Sequence, residues 1–240
     1  SETLGNWGLV WTGGQSLEVH TLRKSGEAMI GQYSSEALVI NGEECILSSI
    51  KDVTEESQMR QKLLDLATKD TLTNLPNRRL FYERFAIARL NAERRRFRMA
   101  VMSVDLDKFK AVNDGFGHAV GDAVLVEAAQ RFLDCLRKVD VVARFGGDEF
   151  VILLTEIHEV EDAVHVANKV VAAFRKPFDA LERRVEISSS IGIAIFPDHG
   201  IDLEELLRIS DEALYQTKEA GRDGYCLSEL PYSECSKDLT

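Results

Sequence analysis

Paired carboxylates beside paired glycines are the residues of this chain with the clearest chemical meaning. The segment Arg144-Phe145-Gly146-Gly147-Asp148-Glu149-Phe150 lies between apolar runs at 139–143 and 151–154, which predicts a β-hairpin. Glycine supplies the positive φ angles of a tight turn and leaves room for a ligand to approach the backbone. Adjacent carboxylates repel each other unless a cation lies between them. The turn is therefore either a solvated acidic loop or half of a metal site.

A second acidic stretch follows an apolar run upstream of this hairpin. Residues 99–104 predict a strand that leads into Asp105-Leu106-Asp107. Alternate carboxylates at the end of a strand can present oxygen ligands to a hard divalent ion such as Mg²⁺. The alternative is a strand followed by a polar helix cap, because Asp and Asn favour helix starts. Two acidic sites, each beside a short apolar strand, favour the metal interpretation.

Length and charge exclude several classes of function. The chain has 240 residues, which leaves one to two domains, and 45% of them are apolar, which is enough for an ordinary core. The formal net charge of −11 argues against general attraction to nucleic acid or to an anionic membrane. We expect no nucleic-acid partner and no direct membrane contact. A local basic run is interpreted as a solvated helix end and loop, with contact to a partner as the alternative: Arg89, Arg94, Arg95, Arg96 and Arg98.

Cysteine spacing and hydropathy indicate the compartment. The four cysteines, Cys45, Cys135, Cys226 and Cys235, form no CxxC motif and no disulfide-dense pattern, which fits a reducing cytosol. No apolar run approaches the roughly 20 residues that cross a bilayer, and the first residues lack signal-peptide character. We therefore expect a cytoplasmic location. The chain does not begin with Met, so a longer and membrane-anchored parent protein stays open.

The first part of the chain predicts a β-meander. Strands are expected at 17–22, 28–40 and 45–50, and Asn41-Gly42 between two of them is a strong hairpin signal. This meander, with its end at Asp52-Val53-Thr54, resembles the C-terminal half of a PAS sensor domain. The helices that enclose a ligand in the front half of a PAS fold have no counterpart here. The alternative is a small β-cap on another domain.

A polar helix is predicted to follow the meander. Met59, Leu63, Leu66 and Ala67 recur three and four residues apart and form one apolar stripe. Such a stripe suits either a paired helix, as in a short coiled coil, or packing on the helix's own domain. Two heptads do not distinguish these alternatives.

The remainder of the chain alternates between helices and strands. Helices are predicted at about 78–95, 121–138, 160–175 and 203–220, and strands at 99–105, 185–196 and near residue 225, in addition to the hairpin. Strand, helix, hairpin, helix and strand in this order are typical of a split βαβ, ferredoxin-like fold. The predicted fold class is therefore α+β.

Several separate motifs between about residues 70 and 227 together resemble the GGDEF family, the diguanylate cyclases. The motifs are 70–78, 105–110, 113–118, Gly121-Asp122, the turn at 146–150, 211–215 with Lys218, and Gly221-Arg222. The resemblance implies a palm-like antiparallel sheet with flanking helices, as in nucleotide cyclases. We expect a partial PAS-like segment over 1–53, a helical linker over 54–70, a GGDEF domain over 71–230 and a tail over 231–240.

The resemblance also implies an activity, which is the condensation of two GTP molecules into cyclic di-GMP with release of two pyrophosphates. The implied cofactor is Mg²⁺, with Mn²⁺ as a second candidate. Its expected ligands are Asp105, Asp148, Glu149 and the carbonyl of Leu106, and the expected catalytic residues are Asp148 and Glu149. Asp148 is also the family's candidate proton acceptor, although a carboxylate bound directly to Mg²⁺ is a weak base.

Further positions match the family's substrate contacts. Phe109 and Lys110 open a short helix whose amides favour anions, and Lys218 and Arg222 lie four apart at the end of a predicted helix, where they could hold the phosphates. Asn113 and Asp122 match the guanine-binding positions, and His118 is a candidate for the base or ribose pocket. The alternatives are surface cations at a helix C-terminus, a helix cap for Asp122 and core packing for His118.

A last motif concerns control. Arg137 and Asp140 form an RxxD motif placed before the GGDEF turn as in the family's product-inhibition site, with Lys169 as a further candidate. One active site holds one GTP, so the resemblance implies a homodimer as the catalytic form, with GTP and cyclic di-GMP as its ligands. The alternative function is a catalytically idle module that binds GTP or cyclic di-GMP and regulates a larger signalling protein.

Overall fold

The structure is a computed structural model that describes residues 16–229. The chain divides into two units, Ser1–Asp65 and Leu66–Thr240. The first 15 residues of the expected PAS-like segment and the expected tail at 231–240 lie outside the described residues.

The first unit contains the predicted meander. Strands β1 (Leu17–Leu22), β2 (Ala28–Ile40) and β3 (Glu43–Asp52) form an antiparallel sheet in the order β1-β2-β3. Asn41 and Gly42 both have positive φ, at 52° and 84°, as a two-residue hairpin turn requires. The meander is confirmed, whereas the assignment of this unit to the PAS fold stays a prediction.

Helix α1 (Thr54–Thr68) begins at a hydrogen-bonded junction with the sheet. The Asp52 carboxylate accepts bonds from the hydroxyl and amide of Thr54, at 2.6 and 3.0 Å, and from the Arg23 guanidinium at 2.6 Å. These contacts lower the pKa of Asp52 to about 2. The Thr54 hydroxyl accepts a bond from the amide of Ile30 in β2. The helix therefore begins at a position set by the sheet.

Up to residue 229, the second unit contains a five-stranded sheet in the order β10-β9-β4-β6-β5 and five helices. Its helices are α2 (Arg78–Arg95), α3 (Phe109–Phe116), α4 (His118–Cys135), α5 (Val160–Phe174) and α6 (Leu203–Glu219). Its strands are β4 (Arg98–Leu106), β5 (Val141–Gly146), β6 (Glu149–Ile157), β9 (Ser189–Phe196) and β10 (Gly224–Leu227), with a separate small hairpin of β7 (Phe178–Ala180) and β8 (Arg183–Val185).

The expectation of a purely antiparallel sheet needs one correction. Strand β4 pairs antiparallel with β6 and β9, and β5 pairs antiparallel with β6, but β9 and β10 are parallel. The connection from β9 to β10 passes through α6, and a helical crossover is what joins parallel neighbours. The fold is α+β with helices on both faces of a mostly antiparallel sheet.

Two predicted boundaries differ from the structure. Helix α4 begins and ends three residues earlier than the predicted 121–138. Its early end has a physical cause, because the Asp140 carboxylate accepts a bond from the amide of Arg137 and starts a turn there. The predicted strand at 185–196 is divided between β8 and β9.

The core lies in two layers, one on each face of the sheet. Helices α4 and α5 cover a cluster that includes Phe132, Phe150 and Phe174, all buried. Helices α2 and α6 cover the other cluster, which includes Phe81 and Leu206. Burying each such side chain contributes about 1.5–3 kcal/mol, so these layers hold the helices against the sheet.

Within residues 16–229, no helix is both long and apolar enough to span a membrane. Cys45, Cys135 and Cys226 are free thiols, and Cys235 lies outside the described residues.

Gly192 allows α6 to lie directly on β9. A Cβ at this position would come within 2.0 Å of the Ser210 carbonyl oxygen and 2.2 Å of the Leu214 amide nitrogen. We expect Gly192→Ala to lower the free energy of unfolding by about 3 kcal/mol, because helix backbone would have to move away from the sheet. Urea unfolding followed by circular dichroism measures this change.

The control for this prediction is Gly115→Ala in α3, where no atom lies within 4 Å of an added Cβ. The control variant should keep its stability or gain about 0.5–1 kcal/mol from higher helix propensity. Equal stabilities of the two variants would contradict the proposed close packing of α6 on β9.

Candidate active site

Side-chain alternation places three carboxylates on the same face of the sheet. In β4, Met99 and Val101 pack under α2 and α6, so Asp105 and Asp107, which follow at the same parity, face that side. The partner of Asp105 across the β4–β6 ladder is Glu149, the first residue of β6. The Leu106 side chain points to the opposite face and is fully buried. The two acidic sequences therefore meet at one end of the sheet.

Asp105 already has one cationic partner. The ammonium of Lys218, in the last turn of α6, lies 2.9 Å from its carboxylate, and both side chains are less than one-third exposed. Burial raises the pKa of Asp105, the hydrogen bond and charge of Lys218 oppose this effect, and the charges of Asp148 and Asp107 add smaller increases. Asp105 is thus a partly desolvated carboxylate with one cationic partner.

This donor set fits a hard divalent cation. Its oxygens would come from Asp105 and Glu149, which are partners across β4 and β6, and from Asp148, whose charge acts on Asp105. Among the described residues, no three acidic, histidine or cysteine side chains approach closely enough to form a complete metal centre. Mg²⁺ commonly takes only one or two protein carboxylates and completes its shell with water and substrate phosphates, so this incomplete set suits it.

The Gly146-Gly147 turn is held by Arg144. Gly146 and Gly147 have φ of 156° and 52°, and β5 contains a bulge just before them. The Arg144 guanidinium donates to the Gly147 carbonyl at 2.9 and 2.8 Å and to the Asp70 carboxylate at 2.9 Å. Both side chains of this ion pair are mostly buried, at 11% and 21% exposure. Arg144 therefore connects the turn that carries Asp148 to the loop at the domain's beginning.

Asp107, which the sequence suggested only as one of two alternate carboxylates that could face a metal ion, is a structural centre. It is 5% exposed and accepts bonds from the hydroxyls of Ser188 and Ser190, at 2.6 and 2.7 Å, and from the amide of Asp223 at 3.1 Å. The spacing of Asp105 and Asp107 could have indicated this arrangement, because residues two apart in a strand face the same side of the sheet. Here that side is the one that α6 covers. Asp107 joins the ends of β4 and β9 to the loop before β10.

Lys218 and Arg222 do not share one face of a helix, which corrects the expectation from their spacing. Helix α6 ends at Glu219, and Gly221, Arg222 and Asp223 all have positive φ, at 118°, 67° and 50°. The Arg222 amide donates to the carbonyl of Thr217, which closes the helix end. The Arg222 guanidinium instead lies 4.0 Å from the Asp107 carboxylate. Both cations still lie beside the acidic end of β4.

The predicted substrate-binding residues between β4 and α4 surround a helix–helix corner. Phe109 is buried at the first turn of α3, Lys110 is exposed, and the first amides of a helix have no acceptor within it. The Asn113 side chain lies against Gly121, where a Cβ would come within 2.0 Å of its Oδ1 atom. Gly117, with φ of 86°, joins α3 to α4.

The alternatives for His118 and Asp122 do not fit this corner. His118 is the exposed first residue of α4, which is inconsistent with core packing. Asp122 is exposed in the second turn of α4, and the residue at the helix cap is Gly117. The polar side chains of both residues are therefore available to a ligand.

The RxxD segment forms a tight turn before β5. The Asp140 carboxylate accepts bonds from the amides of Arg137 and Thr155, at 3.1 and 3.2 Å, so it orients backbone and not the Arg137 guanidinium. Burial raises the pKa of Asp140, although the two amides oppose this effect. Arg137 is exposed. The Lys169 ammonium donates to the carbonyls of Cys135 and Asp134, which caps α4.

Comparison with known proteins identifies the family. The model of the family described as "Diguanylate cyclase, GGDEF domain" matches residues 67–224, which is more than half of the chain. The chain belongs to the GGDEF domain family of diguanylate cyclases.

Two known proteins illustrate this membership. The bifunctional diguanylate cyclase/cyclic di-GMP phosphodiesterase MucR of Pseudomonas aeruginosa is 44% identical over 176 residues, which are 73% of this chain and 26% of MucR. Diguanylate cyclase TpbB of the same species is 41% identical over 68% of this chain and 38% of TpbB. The chain thus spans well under half the length of these curated relatives.

Solved structures share the fold. The crystal structure of the TpbB GGDEF domain is 40% identical, has a TM-score of 0.64 and covers 66% of this chain and 99% of that domain. The coiled coil and GGDEF domain of DgcB from Caulobacter crescentus, solved in complex with c-di-GMP, is 25% identical with a TM-score of 0.63, and covers 72% of this chain and 94% of that one.

Removing Arg144 should loosen the turn and change acid stability. Arg144→Met is expected to lower the free energy of unfolding at pH 7 by about 2 kcal/mol, because Asp70 and the Gly147 carbonyl lose a partly buried cation. Burial opposes ionisation of Asp70, but the Thr73 hydroxyl and amide, together with Arg144, lower its pKa below 3.8. Urea unfolding at several pH values measures both effects.

The sign of the pH effect follows from this lowered pKa. In the parent protein the Asp70 contribution is present above pH 3.8 and is lost as the pH falls toward the folded-state pKa. Without Arg144 the shift is smaller, so stability should fall less steeply below pH 4. Arg79→Met is the control, because its pair with Glu83 is largely exposed and should change stability by under about 0.5 kcal/mol. An unchanged acid slope in Arg144→Met would contradict the role of Arg144.

Proposed function

We propose that this chain is a diguanylate cyclase module, which condenses two GTP molecules into cyclic di-GMP and releases two pyrophosphates. The observation that carries the proposal is the pairing of Asp105 with Glu149 across β4 and β6, with Lys218 at 2.9 Å from Asp105, inside a domain of this family. The curated relatives are longer than this chain, so the proposal concerns the module.

The proposed cofactor is Mg²⁺ or Mn²⁺, held by Asp105, Asp148, Glu149 and the Leu106 carbonyl. When bound, such an ion would neutralise triphosphate charge and polarise the α-phosphate. The pairing of the half-buried Asp105 with Glu149 across β4 and β6 is the feature of this chain that supports the assignment. Asp148 remains the candidate for accepting the proton of the attacking hydroxyl.

Cationic and amide donors beside this site would bind the phosphates. Lys218 neutralises Asp105 in the free protein, and a triphosphate beside Asp105 would give the ammonium a second anionic partner. Arg222, exposed in the loop after α6, can add a bidentate contact that a lysine could not. The first amides of α3, at Phe109 and Lys110, would favour an anion through the helix dipole.

Recognition of guanine is assigned to the corner between α3 and α4. Guanine presents two donors, N1–H and the 2-amino group, and an ionised carboxylate accepts from both. Asp122 is exposed at this corner and suits that role, while Asn113 can serve either a donor or an acceptor. His118, exposed at the start of α4, is proposed to line the base or ribose pocket.

The reaction requires two domains that face each other. The 3′-hydroxyl of one nucleotide forms a bond to the α-phosphorus of the other, the bond from that phosphorus to pyrophosphate breaks, and the hydroxyl proton passes to a base. One site holds one GTP, so a homodimer brings both reacting groups into line. The exposed stripe of Met59, Leu63 and Leu66 on α1 suits such pairing.

Product inhibition is proposed at the RxxD turn. The Arg137 guanidinium is exposed, and a guanidinium can bind a guanine edge or a phosphate with two parallel hydrogen bonds. Asp140 would act by holding the turn through backbone bonds. Lys169 has a structural role as a cap of α4, which makes it the weaker member of the site.

The alternative function is a GTP- or cyclic di-GMP-binding regulatory domain. The observation that favours it is the similarity to MucR, a bifunctional protein of which this chain covers 26%. Incubation of the purified chain with GTP and Mg²⁺ separates the two functions. Formation of cyclic di-GMP supports the cyclase, and binding of GTP without product supports the regulatory domain.

Asp148→Ala should reduce the rate of cyclic di-GMP formation by at least about 100-fold, because the site loses a charged ligand at the reacting phosphate. Chromatographic assay of product at saturating GTP and Mg²⁺ measures the rate. The control is Glu156→Ala at the other end of β6, an exposed carboxylate whose loss should change the rate by less than about twofold. Undiminished synthesis by Asp148→Ala would refute the assignment of the site.

Arg137→Ala should relieve product inhibition and leave the initial rate unchanged. The half-inhibitory concentration of added cyclic di-GMP is expected to rise by about tenfold, the equivalent of one lost charge-assisted hydrogen bond. The neighbouring exposed residue supplies the control, Lys138→Ala, which should keep the parent value. Inhibition of Arg137→Ala at the parent concentration would exclude the RxxD turn as the inhibitory site.

A further inference from the structure

We propose that Asp107 and Arg175 are positioning residues for Arg222, because they hold the loop after α6 from two opposite sides. The proposal rests on the assignment of Arg222 to the substrate phosphates. It extends that assignment to two residues that do not themselves contact substrate.

The inner side of the loop is fixed by Asp107. Its two carboxylate oxygens receive the hydroxyls of Ser188 and Ser190, and one of them also receives the amide of Asp223. The Asp107 amide donates to the Ser188 carbonyl at 2.9 Å. With 5% exposure and this many bonds, Asp107 cannot move independently of β4 and β9. The loop is thereby attached to the strand that carries Asp105.

The outer side of the loop is fixed by Arg175, the residue that caps α5. Its Nε donates to both carboxylate oxygens of Asp223, at 3.1 and 3.0 Å, and its second guanidinium nitrogen donates to the Asp223 carbonyl at 3.3 Å. Asp223 is therefore bound through its amide by Asp107 and through its side chain and carbonyl by Arg175. Because Asp223 is held on both sides, the backbone of Arg222, the preceding residue, is also held in place.

The backbone of the loop needs these bonds. Arg222 and Asp223 are consecutive non-glycine residues with left-handed φ, at 67° and 50°. L-residues adopt this conformation rarely, and it persists where surrounding contacts hold it in place. Loss of either contact would let the loop relax toward ordinary backbone angles, and the Arg222 guanidinium would leave its position 4.0 Å from Asp107.

The test uses Arg175→Met in the whole chain, because Arg175 is 60% exposed and its loss should not unfold the domain. Equilibrium binding with Mg²⁺ is measured by calorimetry for guanosine and for a GTP analogue with a methylene group between the α- and β-phosphorus, which cannot release pyrophosphate and whose affinity stands for that of GTP. GTP affinity should fall about fivefold and guanosine affinity should stay unchanged, since only phosphate contacts depend on Arg222. Asp107→Asn should act in the same direction, and Arg175→Lys should restore part of the affinity.

The decisive measurement combines each change with Arg222→Ala. If Asp107 and Arg175 act through Arg222, Arg175→Met causes no further loss of GTP affinity in the Arg222→Ala background. An equal loss in both backgrounds, an equal loss for guanosine, or no effect of Arg222→Ala itself would overturn the proposal. Arg208→Met, which removes a comparable exposed ion pair with Glu212, is the matched control and should bind GTP as the parent does.

Failure of the cyclase function and failure of the positioning role of Asp107 and Arg175 would give different results. A parent chain that binds GTP but forms no cyclic di-GMP would refute the cyclase function, while the affinity measurements would still decide the role of Asp107 and Arg175.

Discussion

The alternation of side chains along β4 is the constraint on which the site depends. Strand β4 lies in the middle of the sheet, between β6 and β9, and helices cover both of its faces, so every interior position must be apolar or paired. Carboxylates occur only at its end, where α6 supplies Lys218, the following loop supplies a backbone amide and the start of β9 supplies two serine hydroxyls. The same parity that buries Val101 turns Asp105 toward these donors.

The two carboxylates at the end of β4, Asp105 and Asp107, are stabilised in different ways, and this difference indicates different roles. The Asp107 carboxylate accepts three hydrogen bonds from within the protein, so its position is fixed. Asp105 has one ammonium partner, and burial is the main reason that its pKa is raised. A carboxylate with one partner keeps oxygen lone pairs that a cationic ligand could use. Asp105 therefore keeps the capacity to bind a ligand, whereas Asp107 maintains the geometry.

Long periodic elements and the hairpin could be predicted from the sequence, because local signals decide them. Helix α2 has the predicted bounds, and Asn41-Gly42 correctly indicated a turn. The β7–β8 hairpin could not be found, because Leu181 and Glu182 adopt left-handed φ without the glycine or asparagine that normally reveals such a turn. The expected helical pairing of Lys218 with Arg222 failed at Gly221, because the Arg222 amide closes the helix on the Thr217 carbonyl and the loop beyond it is bound to Asp107, which is distant in the sequence.

Hydrogen bonds hold the segment through which the chain enters the GGDEF domain. The carbonyls of Ala67 and Thr68, at the end of α1, accept bonds from the side chain and amide of Asn77, and Asp70 follows after one residue. The Arg144 guanidinium donates both to the Asp70 carboxylate and to the Gly147 carbonyl in the acidic turn. A continuous path of hydrogen bonds thus joins residues 67–77 to the Gly146-Gly147 turn, so a displacement of this entry segment would also displace the turn.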